Sequence, residues 1–168
     1  SERTSALLDN LAERMNLVDE LHAVTRALSE ADVVYAICGG IAVTIHGATR
    51  TTKDIDLLLS PSDLTRALEA LRPLGYTYVA LPMEFDLGTP NERHVQRVTK
   101  LDGQTSVSVD FLLETGPLAG LLADSIRVEL PEGPLVVVSR ATLQRMKRLA
   151  ARAQDLADLE KLERPDAD

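Results

Sequence analysis

The triplet Asp54-Ile55-Asp56 sets two carboxylates two positions apart in a segment that reads as a strand. Alternate strand residues face the same way, so both acids project together while Ile55 turns toward the core. Two carboxylates in one small volume repel, and one tends to keep its proton unless a cation neutralises the pair. Magnesium suits the role, because it prefers oxygen ligands and keeps water positions for substrate phosphates. An Asp-x-Asp pair is commoner as an exposed edge or turn. Here Leu57-Leu58-Leu59 continues as a buried run, which sets the acids at the mouth of a core strand.

Asp110 lies inside Val107-Ser108-Val109-Asp110-Phe111-Leu112-Leu113. An unpaired charge in so apolar a strand costs on the order of several kcal/mol, so Asp110 needs a cation. Either an arginine pairs with it or it is a third ligand to the same metal. Gly39-Gly40 follows a buried strand and precedes a candidate helix, so its backbone N–H groups can approach an anion such as a triphosphate. The plain alternative is a tight turn. Arg50 and Lys53 just before the acids, and Lys147 in the acid-free basic stretch Arg140 to Arg152, are the candidate phosphate-binding cations. The other cations of that stretch read equally well as a solvated helix face. Asp155 and Asp158 are expected to pair with that stretch or with the end of the helix before them. His22, His46, His94 and Cys38 are assigned no catalytic role, and Glu84 and Asp86 fall in a loop long enough to receive an acceptor.

These residues require elements to hold them. Leu7, Leu8, Leu11, Met15, Val18, Leu21, Val24 and Leu28 recur at helical spacing and predict one amphipathic helix or two. Val33 to Cys38 predicts a strand, Ile41 to His46 a short helix, and Asp54 to Leu59 a strand. Ser60-Pro61 then predicts a capped helix through Leu64, Leu68 and Leu71. Tyr76 to Ala80 reads as extended and Leu81 to Asn91 as irregular. Asp102-Gly103 marks a hairpin between His94–Leu101 and Thr105–Leu113, and 131–134 marks a weaker one between Ile126–Leu130 and Leu135–Val138. Ser139 caps a helix with Leu143, Met146 and Leu149, and a last helix carries Leu156, Leu159 and Leu162. The organisation expected is a helical segment at 1–32, a core at 33–138, C-terminal helices packed on it at 139–163, and a disordered tail at 164–168.

The order and spacing of these pieces, Ile37-Cys38-Gly39-Gly40, thirteen residues, Asp54-Ile55-Asp56-Leu57, and a later strand bearing Asp110, resembles the nucleotidyltransferase superfamily of the DNA polymerase β type. The string Gly39 to Asp56 is similar to its AbiEii-like and related bacterial branch, in which a Lys, an Arg and a D-x-x-D pattern near the end match Lys147, Arg152, Asp155 and Asp158. The resemblance implies an α/β (α+β) fold, a mixed β-sheet with packed helices, and transfer of a nucleoside monophosphate from an NTP to an acceptor hydroxyl. It implies Asp54, Asp56 and Asp110 as metal ligands, two Mg2+ ions ~3.5 to 4 Å apart when NTP is bound, and Asp110 as general base. The acceptor is left open among a small molecule, a tRNA and a protein. The alternative is a nucleotide-binding or partner-binding protein of a toxin-antitoxin system, without turnover.

The bulk of the chain narrows the classes. With 168 residues it suits one compact domain, and with 3% aromatics and no Trp its core must be aliphatic. A formal charge of −8 and few stacking side chains count against extended nucleic-acid binding, though not against a local basic pocket. A single cysteine without zinc-type spacing suits a reducing compartment. The opening residues lack a signal-peptide pattern, and no apolar run approaches the ~20 residues that span a bilayer. The expectation is a cytoplasmic protein with no membrane partner, free to form a homodimer or bind another protein.

Overall fold

A computed structural model of the chain describes residues 2–48 and 50–164, the side chains of 3–16 lying outside that description. Its strands are β1 (Tyr35–Cys38), β2 (Asp54–Leu59), β3 (Tyr76–Val79), β4 (Met83–Phe85), β5 (Arg93–Asp102), β6 (Thr105–Leu113), β7 (Ser125–Leu130) and β8 (Gly133–Val138). They form one sheet in the order β3-β5-β6-β2-β1-β8-β7, with β4 also on β5. The β2–β6 and β1–β8 pairs are parallel and the rest antiparallel, so the sheet is mixed. The α-helices are α1 (Glu2–Glu30), α2 (Gly39–Ile45), α3 (Leu64–Leu71), α4 (Arg140–Ala150) and α5 (Ala153–Glu163). Among the described residues, no helix is long and apolar enough to cross a membrane.

The central strands are buried on both faces, and Ile55, Leu57, Leu58 and Leu59 of β2 are fully enclosed, which is why they read as a continuous apolar run. One face carries Lys100 of β5, whose ammonium donates to Glu20 of α1 at 2.7 Å, beside the Tyr76 hydroxyl on the same carboxylate. That contact sets α1 on this face, where Leu21, Val24 and Leu28 are buried. The opposite face is left for α4 and for the polar row described below.

Several expectations need correction. The amphipathic segment is a single helix, and of its described apolar residues Val18 is exposed; Leu7, Leu8, Leu11 and Met15 lie outside the described side chains. Pro61 starts a 3-10 turn, Pro61–Asp63, before α3, and Ser60 gives no side-chain cap; its hydroxyl meets Ser62 instead. Part of the supposedly irregular 81–91 is β4, whose residues find backbone partners on β5. The first hairpin closes one residue later than the Asp102-Gly103 signal suggests: Asp102 pairs with Thr105, and Gly103, at φ +61°, opens the two-residue loop Gly103-Gln104. In α5 only Leu162 of the expected leucines is deeply buried, while Leu156 is exposed and Asp155 and Asp158 turn inward. Ser139 does cap α4, its hydroxyl accepting from the Thr142 N–H at 3.1 Å. Residues 165–168 of the expected tail lie outside the described residues.

Candidate active site

Strand register builds the site. Asp56 stands opposite Asp110 across β2 and β6, Arg97 stands opposite Asp110 across β5 and β6, and Cys38 stands opposite Asp56 on β1. Residues opposite one another share a face, and Asp54 shares it with Asp56 by the two-residue repeat, so the three predicted carboxylates lie on one side of the sheet. The arginine that the sequence left as an alternative is also there. Arg97 Nε donates to Asp110 Oδ1 at 2.7 Å and Nη2 to Oδ2 at 2.9 Å, while Nη2 reaches within 3.8 Å of Asp54 Oδ2. Hydrogen bonds to Asp110 raise the guanidinium's pKa, against the cost of its own burial.

Asp56 is the strained member. Burial, then the neighbouring charges of Asp110 and Asp54, push its carboxyl up to about 7, although Lys147 and Arg152 pull the other way. A carboxylate so short of positive charge is what a divalent cation would relieve, and an all-oxygen donor set on one face suits magnesium. Among the described residues, no group of three acid, histidine or cysteine side chains is arranged to enclose an ion as it stands. The Arg97 guanidinium lies between Asp110 and Asp54. Each Asp110 oxygen accepts one hydrogen bond from Arg97.

Gly39 abuts the same carboxylate. Its φ is +65°, and a Cβ there would lie 1.9 Å from Asp56 Oδ2, so a side chain is excluded by strain and by space together. At Gly40 a Cβ would lie 2.9 Å from Thr52 Cβ. The N-cap residue of α2, Cys38, makes no side-chain capping bond. Its thiol is fully buried, and burial, with Asp56 nearby, holds its pKa well above the ordinary value, so it packs as a small hydrophobe.

A buried ionic knot flanks the acids. Lys147, 6% exposed, donates to Asp155 at 3.1 Å and Asp158 at 3.0 Å. Fully buried Asp158 also accepts from Arg50 Nε at 3.1 Å and from Gln154 at 2.8 Å, and Asp155 accepts from Arg152 Nε at 2.8 Å. Burial alone would raise both aspartates, but the hydrogen bonds of these donors outweigh it and hold both below the usual range. The sequence reading that paired these acids with the basic stretch therefore agrees with the structure. Elsewhere in the stretch, Arg140 donates to the Leu162 and His46 carbonyls, and Arg148 pairs with Glu163. His46 itself meets the Val138 carbonyl at 2.8 Å.

A cleft of about 440 Å3 opens over this face and is lined by Gly39, Gly40, Arg50, Asp56, Asp110 and Lys147 of the predicted residues. Asp54 joins them through Arg97 without lining the cleft itself, and exposed Lys53 does not line it. The sequence reading missed Arg97 and Arg93, while Asp86 of the loop it set aside for an acceptor does line the cleft: Arg93 pairs with Asp86 at 2.7 Å and lies over the Phe85 ring at 5.5 Å. Hairpin register was the signal for Arg97. Centring the turn on Asp102-Gly103 sets Val95 across from Asp110, whereas closing it at Gly103-Gln104 sets Arg97 there.

With that geometry in place, comparison with known proteins is decisive at the family level. The family described as uncharacterised nucleotidyltransferase matches residues 2–154. The chain belongs to that family. This nucleotidyltransferase-family chain also resembles solved structures of the same fold. A nucleotidyltransferase structure from Thermotoga maritima aligns at TM-score 0.58 and 17% identity, covering 88% of this chain and 92% of that one. Lincosamide antibiotic adenylyltransferase LnuA with lincomycin bound aligns at 0.55 and 13%, covering 86% and 95%. ANT(2")-Ia in complex with adenylyl-2"-tobramycin aligns at 0.55 and 15%, covering 86% of each. At such identities the likeness establishes the shared mixed α/β nucleotidyltransferase fold. No curated protein matches the sequence.

Proposed function

We propose that this member of the family is a magnesium-dependent enzyme transferring a nucleoside monophosphate from an NTP to an acceptor hydroxyl. The acceptor oxygen bonds to the α-phosphorus as the bond to the leaving pyrophosphate breaks, and the hydroxyl proton passes to a carboxylate of the site. The observation that carries the reading is the registered row Asp56–Asp110 with Asp54 on the same face, set against a glycine that has no room for a side chain. Bound magnesium, held by Asp54, Asp56 and Asp110, would supply charge stabilisation at the phosphates. Gly39 and Gly40 leave backbone room for the triphosphate, while Arg50 and Lys147, both held by Asp158, line the same cleft.

Two of the similar folds act on antibiotics, which makes ATP with small hydroxyl compounds the first pairing to try. In a thermal-shift assay, Mg2+ with the preferred NTP raises the melting temperature of the wild type, and Asp54→Ala with Asp56→Ala removes the rise. Incubation with labelled NTP and mixed bacterial small molecules, RNA and protein identifies the acceptor, with transfer lost in the double variant. A shift unchanged by the substitutions overturns the site. A second reading, partner binding without turnover in a toxin-antitoxin pair, draws on the exposed apolar residues Tyr78, Val79, Leu81, Phe85 and Leu87 of β3, β4 and the segments that follow each. Nucleotide binding with no labelled product from any fraction favours it.

A further inference from the structure

Arg97 holds a position that the proposed chemistry cannot leave alone. Its guanidinium makes a side-on, two-bond contact with Asp110 through Nε and Nη2, and its Nη2 leans toward Asp54. The contact is set by the backbone, because β5 and β6 are hydrogen-bonded neighbours with these two residues in register. Asp110 is 9% exposed, so its charge is costly without a cation and the arginine satisfies it in the free protein. Arg97 is less confined, with 39% of its side chain exposed along the cleft. One partner of the pair is thus fixed and the other has room to move.

We propose that Arg97 is an internal cation that competes with the divalent ion for Asp110, and that nucleotide tips the competition. A guanidinium lying between Asp110 and Asp54 and an ion bound to both cannot share that space. The free protein therefore binds metal through a site one carboxylate short. When a triphosphate enters, its negative charge offers the guanidinium a second bidentate partner in the same cleft, so Arg97 can exchange carboxylate for phosphate and release Asp110. Metal and nucleotide then bind with positive coupling, each raising the affinity for the other by the same factor. This inference rests on the metal reading of the site and adds to it a residue that times metal loading to substrate.

The test is Mn2+ binding, followed by the loss of the free-ion paramagnetic signal, with and without a non-hydrolysable NTP analogue, each titration corrected by a protein-free one because the analogue itself chelates Mn2+. The expected wild-type result is weak binding that tightens at least about tenfold with the analogue. Arg97→Gln should tighten binding in the absence of analogue by about tenfold and reduce the coupling. Arg97→Lys, which keeps the charge but not the two-bond contact, should fall between them and guards against misfolding of the glutamine variant. In an Asp110→Asn background the gain from Arg97→Gln should vanish. Unchanged or weaker Mn2+ binding in both Arg97 variants, or a gain that persists beside Asp110→Asn, overturns the competition while leaving the metal site standing. Failure of Mn2+ to bind the wild type and both variants, with or without the analogue, overturns the metal reading and the competition with it.

Discussion

Asp56 concentrates the physics of the site in one side chain. Its carboxyl lies near 7 in the folded protein, against about 3.9 in an unfolded chain. The folded state therefore holds this proton more tightly than the unfolded state does. The group's favourable contribution is complete below about pH 4 and is lost as pH rises through about 7. A shift of that size is worth about 4 kcal/mol for a wholly buried group, and partial exposure screens it to roughly 1–2 kcal/mol. Asp56→Asn should consequently stabilise the metal-free protein by that amount at pH 8 and by nothing measurable near pH 4, as read by urea unfolding. Added Mg2+ should raise the stability of the wild type at pH 8 and leave that of the asparagine variant unchanged. The convergence of Asp54 with Asp56 was legible from their spacing, whereas this degree of strain was not, because it comes first from burial under the packed chain and then from Asp110 on another strand.

Among the elements, the junction of α4 and α5 is the one held by charge. Ala151 adopts a left-handed conformation at φ +52°, which costs a residue with a side chain about 1 kcal/mol or more. Lys147 on one helix and Asp155 and Asp158 on the other hold the turn shut, and Arg50 ties it to the loop before β2. Asp158→Ala should cost about 3–5 kcal/mol in chemical denaturation, since it leaves Lys147 buried with one partner and frees Arg50. Because the folded pKa of Asp158 is lowered, the advantage of the wild type is present above about pH 4 and should shrink as pH falls below it. The helices themselves were readable from leucine spacing and the Ser139 cap. Their facing was not, for the spacing of Leu156, Leu159 and Leu162 points one way while the ionic knot turns Asp155 and Asp158 inward.

Across the whole molecule, a chain of net charge −8 gathers Arg50, Arg93, Arg97, Lys147 and Arg152 around one cleft, opposed there by Asp56, Asp86, Asp110 and Asp155. With divalent cations added, that cleft would draw a compact polyanion while the rest of the surface repels a long one. NTP affinity should fall roughly three- to tenfold between about 50 and about 300 mM NaCl, measured by calorimetry, while long RNA shows no binding at either salt concentration. By itself the sequence determined the mixed α/β architecture, the strand that bears Asp54 and Asp56, the glycine turn before α2 and nucleotidyltransferase kinship, though not the AbiEii-like branch it named. Those features rest on local signals: alternation, apolar runs, turn residues and motif order. Only the tertiary structure decided that Arg97 faces Asp110, that Lys147 is spoken for by Asp155 and Asp158, and that Lys53 stands apart from the cleft. Each depends on how distant segments come into register, and a shift of one residue at the Gly103 turn is enough to change which side chain meets a carboxylate.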